Sequence, residues 1–172
     1  MKEHYLLTIK AEDRPGLLHL VTGMIEKKLI AIKSLSAAPT DIRDIIVVNI
    51  EVEADESDVA PLALKLENII EVFGVEVTRY EKTLCMRAAY FKMAKSFLES
   101  PQAIALSKYD ALIVAIYPET FLLTKYGTDA TILKLYNALE GPHLLGFIQS
   151  GLLADSKLIG EDESSVISRL AA

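Results

Sequence analysis

Residues 45–56 read Ile-Ile-Val-Val-Asn-Ile-Glu-Val-Glu-Ala-Asp-Glu. Ile46, Val48, Ile50 and Val52 alternate with Val47, Asn49, Glu51 and Glu53. Successive side chains of a strand point to opposite faces, so this period of two predicts a strand with one buried and one partly solvated face.

Upstream of this run, Pro39, Thr40 and Asp41 make a turn, and Ile30 to Leu35 predicts a further strand. In that strand Ile30, Ile32 and Ser34 would point one way, and Ala31, Lys33 and Leu35 the other. Leu17, Leu18, Val21, Met24 and Ile25 recur at helical spacing and predict an amphipathic helix ending near Lys28. Ahead of it stands the break Asp13-Arg14-Pro15-Gly16, with Pro15 suited to a first helical turn and Asp13 placed to cap it. Tyr5 to Lys10 is strand-like. Downstream, Ser57 or Asp58 can cap a second helix with Pro61 in its first turn and Leu62, Leu66, Ile69 and Ile70 as its stripe. Val75, Val77 and Arg79 follow as a fourth strand. The order over residues 5–80 is β, α, β, β, α, β.

The same order recurs in the rest of the chain. Thr83–Tyr90 reads as a strand, and Lys92 to about Ser107 as a helical or irregular stretch interrupted by Pro101. Ala111–Tyr117 reads as a buried strand, Phe121–Tyr126 as its neighbour across a Pro118-Glu119 turn, and Thr128–Leu139 as a helix. Leu144–Leu153 is the last strand, bent at Gly146 or Gly151, and the tail from Gly160 is polar. In each half, two helices should pack on one face of an antiparallel sheet. The other face and the sheet edges then need cover, so self-association is expected.

The bulk numbers exclude several classes. The chain has 172 residues, 51% of them hydrophobic and 24% charged, enough to bury a core. With a net charge of −6 and no basic cluster, nucleic acid is not an expected partner, because phosphate binding needs a basic footprint. No segment approaches the roughly 18 apolar residues of a membrane span, and the N-terminus lacks the pattern of a signal peptide. A cytoplasmic protein is expected. Cys85 is the single cysteine, so no intrachain disulfide is possible.

Catalytic chemistry is not legible. His4, His19 and His143 have no metal-pair spacing, and no nucleophile elbow, P-loop or dinucleotide fingerprint occurs. His19 reads as a surface or interface histidine and Cys85 as a small buried hydrophobe. Asp55, Glu56 and Asp58 read as a solvated turn at a helix start. One segment carries a physical argument for binding. Asp13-Arg14-Pro15-Gly16-Leu17 joins a strand to a helix, and its glycine lets a ligand approach the backbone. The free N–H groups of the helix start favour a carboxylate, and Asp13 could take an ammonium. From the residues alone an ordinary capped strand-to-helix turn is the better reading, because such turns are common.

The stretch KAEDRPGLLHLVTGMIEKKLIAIKSLSAAPTD, residues 10–41, resembles the N-terminal ACT domain of the small regulatory subunit of acetolactate synthase (acetohydroxyacid synthase). Pro-Gly-Leu-Leu is shared by many ACT domains, whereas IKSLSAAPTD is closer to this subunit. LENIIEVFGVEV, and LLGFIQSGLLADSK at residues 144–157, are similar to its later strands. The resemblance implies an α+β chain: a ferredoxin-like βαββαβ ACT domain over residues 1–81, a similar domain over 82–160, and a flexible tail over 161–172. It also implies a non-catalytic protein without a cofactor of its own. Such a protein pairs as a homodimer and associates with a large thiamine-diphosphate-dependent subunit that condenses two 2-ketoacids in branched-chain amino-acid synthesis. Such small subunits activate the large one and confer feedback inhibition by valine, a small amino-acid effector bound between the ACT domains of a dimer.

Carried onto this chain, the ligand-binding turn is Asp13, Arg14, Pro15, Gly16 and Leu17, and the facing strand is Ala31 and Ile32. The family often has asparagine where this chain has Asp13, and again where it has Ala31. Aspartate can still accept from an ammonium, but alanine has no side-chain hydrogen bond to give. Losing one polar partner costs roughly 1–3 kcal/mol, about tenfold to a hundredfold in affinity, so weak or absent valine binding is expected. The competing reading is a free-standing tandem ACT protein, an amino-acid sensor or repressor accessory. A small enzyme on the same scaffold is disfavoured by the missing catalytic constellation.

Overall fold

β1 (Glu3–Glu12) leads through a short turn to α1 (Leu17–Glu26), and β2 (Ala31–Pro39) and β3 (Ile45–Ala54) follow as a hairpin. α2 (Glu56–Glu67) returns the chain to β4 (Val72–Arg79). The computed structural model describes residues 2–157, with the backbone alone for residues 102, 104, 105 and 107. The four strands form an antiparallel sheet in the order β2-β3-β1-β4, with β1 and β3 in unbroken register from Glu3 opposite Ala54 to Glu12 opposite Ile45. This is the expected ferredoxin-like arrangement. Leu7 and Ile9 of β1 and Ile46, Val48, Ile50 and Val52 of β3 face Leu17, Val21 and Ile25 of α1 and Val59, Leu62 and Leu66 of α2 in one core.

Three local expectations are corrected. A register shift between Ile32 and Ser34 turns the later part of β2 over, so Ile32 and Leu35 both pack on the core instead of opposite faces. An inserted residue reverses the alternation, which a strict period of two cannot register. α2 starts at Glu56 after Asp55, so Pro61 stands at the sixth helical position and Ile70 lies beyond the helix, 90% exposed. The second face of β3 is covered: Asn49 and Glu51 are 5% and 6% exposed, and Thr8 Oγ1 donates to Asn49 Oδ1 at 3.0 Å. Polar residues can leave water when they bond to one another, so the alternation located the face but not its solvation.

The second half repeats the topology. β5 (Cys85–Ala94), β6 (Leu112–Ile116), β7 (Thr120–Gly127), α3 (Asp129–Leu139) and β8 (Leu144–Gln149) give the strand order β6-β7-β5-β8, with a two-residue strand β9 at Leu153–Ala154. In place of a first α-helix stand two 3₁₀ segments, Lys95–Glu99 and Pro101–Tyr109, parted at Ser100 ahead of Pro101. Phe97 drops from the first segment into the core formed by Phe91, Met93, Phe121, Leu123, Ile132, Leu135 and Leu139. Arg87, 4% exposed, places Nε 2.8 Å from Asp129 Oδ1 and so ties β5 to the start of α3. β6 is corrected from a buried strand to an exposed edge, with Leu112 and Ile116 each 66% exposed.

By its contacts the chain divides into a first unit reaching Leu84, joined again by the segment from Leu153, and a second unit, Cys85–Leu152. The tail expected over 161–172 lies outside the described residues.

Candidate functional site

Gly16 ends the link between β1 and α1 with φ 93° and ψ −15°. That left-handed geometry is disfavoured for residues bearing a Cβ, which accounts for the glycine. It stands at the cap position of α1, and no side chain caps the helix. Asp13 is therefore not the expected cap, and Pro15 precedes the helix. Asp13 is exposed, and its backbone N–H donates to the carbonyl of Asp44 at 2.8 Å. Leu17 N–H is taken by the carbonyl of Arg14 at 3.2 Å, while the N–H groups of Leu18 and His19 face the helix end with no side chain across them. The positive end of the α1 dipole thus opens outward, where an anionic group is favoured.

The turn forms one wall of an open cleft of about 710 Å³. Asp13 to His19 line that wall, and Ala37, Ala38, Pro39 and Ile46 the other. The five turn residues read from the sequence are thus brought together. Ala37, Ala38 and Pro39 were missed as lining residues, although they lie in the IKSLSAAPTD stretch that marks the resemblance. Arg14 Nη2 lies 2.9 Å from Glu12 Oε1, so the guanidinium is tethered at the turn with Asp13 beside it. A positive helix end, a carboxylate and an apolar far wall together suit a small zwitterion with a short aliphatic side chain.

Ala31 and Ile32 do not reach this cleft within the chain. They pair with Glu53 and Val52, whereas Pro39, at the cleft, pairs with Ile46. Six residues of extended strand separate Ala31 from Ala37, about 20 Å. Ala31 is exposed on the edge strand beside the ion pair of Lys33 Nζ and Glu53 Oε2, 2.8 Å apart. The Lys33 ammonium holds the Glu53 carboxyl below its ordinary range, and Glu53 in turn raises Lys33.

The three histidines lie in separate settings. His4 Nε2 is 2.7 Å from Glu51 Oε1, with its ring stacked on Tyr80 at 4.4 Å. His143 Nδ1 meets Ser96 Oγ at 3.0 Å, and His19 is exposed on the cleft wall. Cys85 is buried. Among the described residues no group of three or more His, Cys, Asp or Glu is arranged to hold a metal, and no helix is long and apolar enough to cross a membrane.

No family model matches the chain. The acetolactate synthase small subunit of Mycolicibacterium smegmatis is 23% identical over 154 residues, spanning 89% of this chain and 91% of that protein. That of Haemophilus influenzae is 25% identical over 157 residues, spanning 88% and 94%. The chain is a homologue of acetolactate synthase small subunits. The solved small subunit of Thermotoga maritima shares the fold of this small-subunit homologue, with a TM-score of 0.76 over 89% of this chain and 96% of that one, at 18% identity. The alignments run through both units of the homologue, so its likeness to small subunits is not confined to the ACT half.

Proposed function

We propose that the chain is a non-catalytic regulatory subunit, which binds and activates a large thiamine-diphosphate-dependent acetolactate synthase subunit in branched-chain amino-acid synthesis. The observation that carries this reading is the match to small subunits over nine-tenths of both partners, across both units. The thiamine cofactor belongs to the large subunit, and this chain supplies contact and control. The test is reconstitution. The purified chain with thiamine diphosphate, magnesium and pyruvate should give only background turnover, and adding it to the large subunit of its own source should raise that subunit's activity several-fold. Sustained turnover by the chain alone, or no effect on the large subunit, rejects the reading.

The effector site belongs to the same proposal. β2 is an edge strand. In the proposed dimer two β2 edges pair antiparallel about a two-fold axis near Ser34 and Leu35, a register that would bring Ala31 and Ile32 of the partner subunit toward the Asp13–Leu17 turn. The helix end then takes an α-carboxylate, Asp13 the ammonium, and the apolar wall the side chain. Ala31 offers no amide across that interface, so valine should bind weakly, in the millimolar range. Calorimetric titration should show Ala31→Asn tightening binding by about tenfold to a hundredfold. Tight binding by the unaltered chain with no gain from Ala31→Asn would refute the argument from position 31. The chain should scatter light as a dimer at tens of micromolar.

A further inference from the structure

Of the residues that line the cleft beside α1, three are ionisable: Asp13, Arg14 and His19. The guanidinium among them is already engaged, with Arg14 Nη2 2.9 Å from Glu12 Oε1. The opposite wall, Ala37, Ala38, Pro39 and Ile46, holds no charge. His19 is the third residue of α1, exposed on the wall that also presents the uncapped helix end. Among the described residues nothing pairs with its ring, whereas the rings of His4 and His143 meet Glu51 and Ser96. Histidine is the side chain whose charge ordinarily changes between pH 5 and 8. The positive charge that this cleft can add to its helix end therefore comes and goes with a proton.

Resting on the effector reading above, we propose that His19 makes this cleft proton-coupled. A small amino acid binds with its α-carboxylate between the helix end and the His19 imidazolium, so binding takes up a proton and tightens as pH falls. Two effects of opposite sign set the coupling. In the empty cleft the positive end of the α1 dipole opposes a proton on a residue of its own first turn. A bound carboxylate lies against both positive groups and favours the protonated ring. Proton and ligand then stabilise one another, and the coupling is reciprocal. The other charged groups around this end of α1 do not line the cleft. On α1 itself the only one is Glu26, about two turns away. In the loop whose carbonyl takes the Asp13 N–H, Arg43 Nε lies 3.4 Å from Asp44 Oδ2. α2 runs opposite to α1, since Lys28, just past α1, lies 4.0 Å from Asp58 in the first turn of α2. It therefore brings Lys65 and Glu67, one of each sign, to the end where His19 stands. Glu71 follows, its carbonyl taking the Glu12 N–H. The β2 edge of the proposed dimer would bring Lys33 of the partner subunit, engaged by Glu53 at 2.8 Å. These groups form a background, and His19 is the histidine at the ligand.

Valine is titrated into the full chain at about pH 5.5 and about pH 8, a range over which its own groups keep their charge, and the backbone amide shifts of Gly16 and Leu18 are followed by NMR. The unaltered chain is expected to bind about threefold more tightly at the lower pH, the factor of an exposed ion pair. His19→Gln removes the charge and should bind equally at both, at the weaker level. His19→Arg keeps a charge at every pH and should bind equally at both, at the tighter level. His19 is exposed, circular dichroism confirms that each variant is folded, and either variant alone decides. Calorimetry in buffers of different ionisation enthalpy should show uptake of up to about a quarter of a proton per valine in the unaltered chain, as a threefold coupling requires, and none in the variants. Equal affinity at the two pH values in the unaltered chain overturns the proposal, as does tighter binding at the higher pH or a pH ratio that survives His19→Gln. Binding that is present but independent of pH overturns this inference alone. Valine binding at neither pH overturns the effector reading and this inference together.

Discussion

Lys33 and Glu53 face each other across β2 and β3 at 2.8 Å, both about half-exposed. Glu53 is depressed by the Lys33 hydrogen bond and charge. A carboxylate depressed in the folded state stabilises it above the ordinary carboxyl pKa and ceases to do so as pH falls through the folded value. Lys33 is raised by the same contact, so its contribution holds below the ordinary lysine value and is lost as pH rises through the folded one. Lys33→Met should therefore move the Glu53 carboxyl titration upward in NMR. It should also lower the urea midpoint slightly at neutral pH, with the difference closing in strong acid. A Glu53 titration that does not move would exclude the contact in solution.

The first 3₁₀ segment of the second unit, Lys95–Glu99, is anchored through the buried Phe97. Phe97 is 1% exposed, its ring centroid 6.3 Å from that of Phe121 and 6.0 Å from that of His143, while its neighbour Leu98 is 45% exposed. The second segment packs on the same core through Ala103, Leu106 and Tyr109, so the Phe97 anchor serves the first. Phe97→Ala should cost about 3–5 kcal/mol in chemical denaturation, whereas Leu98→Ala should stay within about 1 kcal/mol. Equal effects would mean that the segment is not anchored through Phe97. The period of 3.6 is weak here and Pro101 interrupts it, which is why the sequence predicted only a helical or irregular stretch.

After the second unit the chain returns to the first. Glu76 Oε2 on β4 accepts from Ser156 Oγ at 2.5 Å and from the backbone N–H of Lys157 at 2.9 Å, and Ser156 is 8% exposed. Bonds to an ionised acceptor contribute roughly 1.5–3 kcal/mol each at most, reduced where water competes. Glu76→Ala should destabilise the first unit by about 1–3 kcal/mol and speed amide exchange at Lys157. Amides of β5 and β7 should keep their wild-type protection. Unaltered exchange at Lys157 would show that Glu76 does not hold the segment.

The strands and helices of the first unit were legible because their patterns are local. Alternation in Ile45–Ala54 and helical spacing in Leu17–Ile25 depend only on backbone geometry, and the Asp13–Gly16 break marks itself by composition. The turn that lines the cleft was legible for the same reason. Its opposite wall, Ala37 to Pro39, was not, because those residues reach the turn only through the hairpin pairing of Pro39 with Ile46. The reversal of β2, the burial of Asn49 and Glu51 and the exposure of Leu112 and Ile148 belong to tertiary structure as well. Each depends on what lies across the sheet from a residue, and periodicity reports which side a residue faces without reporting whether that side is water, protein or a second chain.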